Sequence, residues 1–262
     1  MSTRGVALRE RLLRVAELVL ASAKLTASLR IVGVRGDGYH LIDAEMVSLD
    51  LVDRLTISEG DGLEIVGPAA EGIAADDTNL IRRALGAVGR RAHVRVEKHI
   101  PAGAGLGGGS SDAAAILRWA GVTDLGLAAS LGADVPFCLV GGRARVTGIG
   151  EVVASLPFVD RTFTLVIPPF GVSTAAVYRA YDGQPAQTPS GPNDLEAAAI
   201  KVSPELASWR ARVEQSTGKR PTLAGSGSTW FVDGDHAAAR DALSPAIVVV
   251  TRTDRSSKGA VG

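Results

Sequence analysis

The residues best suited to chemistry lie between Ile100 and Leu117, where Pro101 is followed by Gly103, Ala104, Gly105, Leu106, Gly107, Gly108, Gly109, Ser110, Ser111 and Asp112. The stretch joins an expected strand, Ala92 to Lys98, to an expected helix, Ser111 to Ala120. Its five glycines between Gly103 and Gly109 let bare backbone approach a ligand, because glycine has no Cβ and tolerates positive φ. Ser110 or Ser111 suits the N-cap of the helix and Asp112 its first turn. Free N–H groups at a helix N-terminus make an anion site that phosphate fits best. A flexible turn is the alternative, but flexible turns seldom feed straight into a capped, alanine-rich helix. This is not a Walker loop, since Gly218-Lys219 is followed by Arg220. Gly103, Gly105 and Gly108 satisfy G-x-G-x-x-G. Ser111 to Ala129, however, holds no second strand ending in an acid, so the dinucleotide context is missing.

Two charged residues elsewhere have unusual settings. Lys24 is alone in an apolar neighbourhood, as an edge-strand charge that snorkels to water or as a site residue; its isolation favours the edge charge. Asp134 is held between small residues and Pro136, facing an apolar strand. A carboxylate there is costly to desolvate without a partner, so it is either a turn cap or an acid/base paired with a lysine. Asp37-Gly38 marks a turn. Tyr39 and His40 beside it can stack on a flat heterocycle, or simply pack on the turn.

The whole chain sets limits on this chemistry. Its 262 residues suit one large domain or two small ones, and 46% hydrophobic residues provide a core. A formal net charge of zero argues against a nucleic-acid binder that relies on bulk electrostatics. The single cysteine, Cys138, sits in an apolar run and reads as a small core residue. The histidines His40, His93, His99 and His236 lack metal-ligand spacing, and no protein-held metal is expected. The expected compartment is cytoplasmic, with no membrane partner. Arg4 to Ala23 loosely imitates a signal peptide, but Glu10 and Glu17 interrupt it. Leu8, Leu12, Val15, Ala16 and Val19 instead share a helical face, so an extra helix is expected over residues 1–17.

The elements that must position these residues follow from periodicity. Leu18 to Ile31 and Met46 to Ile57 read as strands, with Asp53 breaking the alternation of the second. Gly60 to Asp77 is polar and turn-rich. A helix runs from about Asp76 to Val88. A short step spans Gly121 to Ala129. Arg143 to Val153 supplies one more strand and a turn, and Leu156 to Asp160 is the candidate boundary. Thr162 to Ile167 opens the second half as a strand, followed by a helix capped by Ser173 or Thr174 and carrying Tyr178. Helices start at Asn193 and Ser203. Gly225, Ser226, Gly227 and Ser228 form a tight turn between two strands. Asp235 to Leu243 is helical, and Ala246 to Thr251 is the last strand. The fold class is α+β, with domains expected over residues 1–157 and 158–262.

Taken together, these segments resemble the GHMP small-molecule kinases along nearly the whole chain. The resemblance is carried by Lys24, Asp37-Gly38-Tyr39-His40, Thr78-Asn79-Leu80, the loop at 101–114, Leu131-Gly132-Ala133-Asp134-Val135-Pro136, Gly171-Val172-Ser173-Thr174, Asn193-Asp194-Leu195-Glu196 and Gly225-Ser226-Gly227-Ser228. Asp-Gly-Tyr-His and Leu-Gly-Ala-Asp-Val-Pro are more specific to the branch whose small-molecule substrate carries a cytidyl diphosphate group. The resemblance implies a ribosomal-S5-like N-terminal domain, a ferredoxin-like C-terminal domain and a site in the cleft between them. It implies ATP as co-substrate with Mg2+ on its phosphates, Asp134 taking or orienting a hydroxyl proton, and Lys24 pairing with Asp134 or stabilising charge on the γ-phosphoryl group. The loop from Pro101 to Asp112 would hold the phosphates, and Asn79, Leu80 and Lys98 the adenine. Tyr39 and Tyr178 would sandwich cytosine, with His40 reading its edge. Thr26, Ser173, Thr174, Gly225, Ser226 and Gly227 would complete the substrate site. Three departures stand out: Thr26 replaces the family's usual asparagine, the N-terminal helix is extra, and the segment before Asp134 is short. A GHMP kinase for a homoserine- or mevalonate-like substrate and a non-catalytic nucleotide binder are the alternatives.

Overall fold

A computed structural model describes residues 16–183 and 191–255. Two long strands, β1 (Glu17–Val34) and β2 (His40–Ser58), form an antiparallel hairpin. The hairpin closes at the expected Asp37-Gly38 turn, where Gly38 N–H donates to Arg35 C=O at 2.8 Å. On its other edge, β2 pairs at one end with β4 (His93–Glu97) and at the other with β5 (Arg143–Gly148). β3 (Gly62–Val66) runs parallel to β4, and β6 (Val152–Ser155) antiparallel to β5, completing a six-stranded sheet. Helices α2 (Gly108–Trp119) and α4 (Val135–Val140) pack against this sheet, and α1 (Leu80–Ala87) and α3 (Leu125–Leu131) pack on them, all contributing to one apolar core.

The second half forms a four-stranded antiparallel sheet ordered β10 (Ile247–Arg252), β7 (Thr162–Ile167), β9 (Trp230–Asp233), β8 (Thr222–Leu223). Helices α5 (Thr174–Asp182), α6 (Glu196–Val202) and α7 (Glu205–Thr217) accompany it. The halves are stitched along the hairpin: Leu49 bridges Thr253, Leu29 bridges Asn193, and Asp50 accepts from Thr251 Oγ1 at 2.5 Å. A separate apolar core joins them. It holds Ala23, Leu25, Val47 and Leu49 of the hairpin, Ile100, Ala104 and Leu106 of the glycine loop, and Phe163, Leu165, Ile167 and Phe231 of the second sheet.

Several expectations are corrected. Neither Ser110 nor Ser111 caps α2; the N-cap is Gly107 in the left-handed region at φ 70°, with no side-chain cap bond, and Asp112 lies in the second turn. The apolar run after Asp134 is the helix α4 rather than a strand, with Pro136 in its first turn, where a missing N–H costs nothing. The polar stretch 60–77 contains β3, and the step 121–129 begins α3, whose N-cap Asp124 accepts from Gly126 N–H at 2.8 Å. The segment 235–243 forms two short 3-10 turns. The helix expected over 1–17 lies mostly outside the described residues, but Glu17 and Val19 are in β1.

Candidate active site

β1 does not pair evenly with β2. Its register shifts between Ser22 and Lys24 and again between Thr26 and Ser28. Such irregularities re-aim side chains, and the two flank a short piece that carries Lys24 and Thr26. The edge-charge expectation for Lys24 fails: the residue is 5% exposed. Its backbone N–H donates to Leu106 C=O at 2.9 Å, and its ammonium lies 3.3 Å from Asp134 and donates to Thr26 Oγ1 at 3.1 Å. The lysine stem runs beneath the glycine loop. A Cβ on Gly107 would fall 2.6 Å from Lys24 Cγ, and Gly107 has φ +70°, so only glycine fits. Asp134 is the N-cap residue of α4 but makes no side-chain cap bond. Its carboxylate, 34% exposed, faces Lys24 instead.

The loop folds between two sets of neighbours. Below, Ile100, Ala104 and Leu106 are buried in the core shared by both halves. Ala104 C=O accepts from Thr229 Oγ1 at 2.7 Å. Above, Gly105 meets the second-half turn: a Cβ there would lie 2.7 Å from Gly227 O and 2.8 Å from Ala224 O. Gly225 of the same turn has its Cβ position 3.6 Å from both Lys24 Nζ and Thr26 Oγ1. The N–H groups of Gly108, Gly109 and Ser110 precede the first intrahelical bond of α2, from Ser111 N–H to Gly107 C=O at 2.8 Å. They form the donor end of the helix. Asn193, 5% exposed, braces the turn by donating to Leu223 C=O at 2.8 Å and Gly225 C=O at 2.7 Å.

A ring cluster borders this centre. His40 packs against Tyr178, with centroids 4.8 Å apart, and edge-on to Tyr181 at 6.0 Å. Its Nε2 lies 2.6 Å from Asp182. Burial, then the charge of Asp134, push the Tyr178 hydroxyl up to about 12. Tyr39 is 60% exposed, with Arg35 5.5 Å over its ring. Ser173 caps α5, and Thr174 Oγ1 lies 2.8 Å from Ser226 Oγ.

Three expected nucleotide residues spend their side chains elsewhere. Asn79 caps α1, accepting from Ile81 N–H at 2.9 Å and donating to Ala74 C=O at 2.8 Å. Lys98 and Asp112 are buried together, 2.5 Å apart, with Asp53. Leu80 does border the loop, 3.5 Å from the Cβ position of Gly109. Sequence reasoning missed Asp53 and Asn193 as supports. The signal for Asp53 was the break in alternation, which puts a carboxylate on the buried face of β2; for Asn193 it was membership of the Asn193-Asp194-Leu195-Glu196 segment that carries the resemblance.

Known proteins sort these features. Residues 74–142 match the family described as GHMP kinases N terminal domain. The crystal structure of the Methanococcus jannaschii mevalonate kinase covers 92% of this chain and 99% of its own, with TM-score 0.60 and 11% identity, a likeness of fold alone. The fold is that of the GHMP kinases. Much nearer in sequence is the 4-diphosphocytidyl-2-C-methyl-D-erythritol kinase of Paracoccus denitrificans (strain Pd 1222), 39% identical over 231 residues, 80% of this chain and 84% of that one. The kinase of the same name from Moorella thermoacetica is 36% identical over 281 residues, 89% of this chain and 97% of that one. A crystal structure of 4-(cytidine 5'-diphospho)-2C-methyl-D-erythritol kinase superposes with TM-score 0.74 at 33% identity, covering 91% of this chain and all of that one. The chain belongs to the 4-diphosphocytidyl-2-C-methyl-D-erythritol kinase family.

Proposed function

We propose that the protein transfers the γ-phosphoryl group of ATP to the 2-hydroxyl of 4-diphosphocytidyl-2-C-methyl-D-erythritol, a step of the methylerythritol phosphate route to isoprenoids. The observation that carries this reading is the Lys24–Asp134 pair, 3.3 Å apart under the phosphate loop. Asp134 takes or orients the proton of the hydroxyl. The hydroxyl oxygen bonds to the γ-phosphorus as the bond to the β–γ bridging oxygen breaks and ADP leaves. Lys24 holds Asp134 in place and offsets the charge that builds on the transferring group. Phosphoryl transfer needs positioning and charge stabilisation above all, so this sparse set is sufficient.

The N–H groups from Gly107 to Ser110 would take the ATP phosphates, and Gly225 to Gly227 would face them across the cleft. Because Asn79 and Lys98 have their side chains engaged, their share in adenine binding falls to backbone groups, with Leu80 as the apolar contact. Mg2+ would arrive on the ATP oxygens, where it neutralises phosphate charge. Among the described residues no three His, Cys, Asp or Glu side chains gather to hold a metal. Tyr39, His40 and Tyr178 would hold the cytosine. The Tyr178–His40 contact supports one wall, and the exposed Tyr39 has area to bury as the other. Thr26 would touch the substrate from beside Lys24, and Ser173 and Thr174 from the start of α5.

We divide the chain into units over 1–157 and 158–262, because the first sheet ends at Ser155 and the second opens at Thr162. A cytoplasmic setting suits an ATP-dependent enzyme with a single buried cysteine; no described helix is long and apolar enough to cross a membrane.

The test is a coupled ADP-release assay with magnesium-ATP, comparing the cytidyl substrate with the same alcohol lacking the cytidyl group. Turnover with the cytidyl substrate alone is expected. Turnover with neither, alongside ATP binding, would overturn the reading.

A further inference from the structure

The transfer step does not use the side chains of Asp53, Lys98 and Asp112, yet these three are among the most thoroughly buried charges in the protein, at 0%, 3% and 4% exposed. Burying ions is expensive, and apolar residues of similar size would fill the space at less cost. Their placement gives a reason. Lys98 follows β4, just before the glycine loop begins, and its ammonium bridges Asp53 on β2 and Asp112 on α2, the latter at 2.5 Å. Asp53 also accepts backbone N–H groups on the incoming side of the loop, from His99 at 2.5 Å and Ile100 at 2.9 Å. Asp112 lies on the outgoing side, in the second turn of α2. The lysine head is tucked against the start of that helix, 3.4 Å from the Cβ position of Gly108.

We propose that Asp53, Lys98 and Asp112 are positioning residues that clamp the two ends of the phosphate loop at a fixed separation, so that the loop's N–H donors are aimed before ATP arrives. Glycine-rich backbone has many conformations to lose on binding an anion. A clamp at both ends removes that cost from the binding step. Asp53 accepts from three donors, with both of its oxygens engaged. Asp112 has one oxygen on Lys98, while its Oδ1 is buried with no hydrogen-bond partner. Apolar packing of Leu106 and Ala104 fixes the middle of the loop, and the clamp fixes its ends.

The inference rests on the loop binding ATP, and its test is kept apart from the acceptor. ATP binding is measured by titration without the cytidyl substrate, and kcat and both KM values are measured separately. Two variants are used. Asp112→Asn keeps the shape and an acceptor for Lys98 but removes the titratable carboxyl. The combined variant Asp53→Asn, Lys98→Met, Asp112→Asn removes every charge and strands no ion. We expect ATP affinity to fall by about tenfold in the combined variant and by a smaller factor in Asp112→Asn, with KM for the acceptor unchanged. If the combined variant does not fold, Asp112→Asn decides. Wild-type ATP affinity in the folded variant overturns the clamp, even where its melting temperature drops, because a merely structural cluster would change stability without changing affinity. Wild-type protein that binds ATP but phosphorylates no acceptor would instead overturn the kinase reading and leave the clamp standing.

Discussion

In the proposed reaction, Asp134 and Lys24 divide the work at the residue scale. The carboxylate is partly open to the cleft, and the ammonium is enclosed by Thr26 and the loop. Asp134→Ala is therefore expected to lower kcat by about 10²–10⁴-fold, the usual size of a lost acid–base group. ATP binding should be essentially unchanged, because the loop N–H donors do not depend on the carboxylate. Parallel titration of ATP and single-turnover kinetics check this; equal loss of both would make Asp134 structural. Thr26 keeps one polar contact by accepting from Lys24. Both residues were legible as odd in the sequence, and the resemblance implied their pairing. The lysine's own surroundings pointed to a solvated edge charge instead, because no local pattern says that a register shift turns it inward.

At the scale of elements, the loop and its helix behave as one unit. Gly105 has φ +77°, and a Cβ would meet two carbonyl oxygens of the opposing turn. Gly105→Ala should cost about 1–3 kcal/mol in backbone strain and raise KM for ATP. Gly36→Ala, with open space around it, is the control, read by thermal melts and kinetics. The buried Asp112 makes a second prediction. Burial is the main cause that pushes its carboxyl up, to about 7, with Asp53 on β2 adding to the effect and Lys98 at the end of β4 opposing it. The folded state holds this proton more tightly than the unfolded chain, whose value is near 3.8. Its contribution to stability is full below about 4 and is lost as pH rises through about 7. Asp112→Asn removes that dependence, so its melting temperature should gain on the wild type by at least about 2–4 °C between pH 5 and pH 8. A constant difference would sink this reading. Helix periodicity and cap residues located α1, α5 and α7 to within a few residues. The start of α2 was misread because serine usually caps, whereas here a left-handed glycine leads in and leaves the first N–H groups for a ligand.

At the scale of the whole molecule, the two sheets share a core. Phe163 is fully buried there, edge-on to Phe231 at 5.7 Å, with Leu25 and Leu106 in the same cluster. Phe163→Ala is expected to destabilise by about 3–5 kcal/mol. The halves should still unfold together, because the core and the Leu29–Asn193 and Leu49–Thr253 bridges tie them. Denaturation followed by tryptophan fluorescence and by loss of ATP binding should give one coincident transition; two separated transitions would show that the halves are independent.

The sequence by itself determined the local chemistry. It set the spacing of glycines that permits a bare loop, the turn at Asp37-Gly38, the cap at Ser173, and the strand and helix periods. These depend on allowed φ and ψ and on which face of an element is apolar. Tertiary structure decided which polar groups meet: Lys98 with Asp53 and Asp112, and Asn193 with the 223–225 turn, and it brings Lys24 to Asp134 as the resemblance implied. Those meetings depend on the register shifts of β1, on a helix rather than a strand following Asp134, and on two sheets closing over one apolar core. A buried charge is tolerated only where distant segments bring its partner, and no short stretch of sequence records where those segments end up.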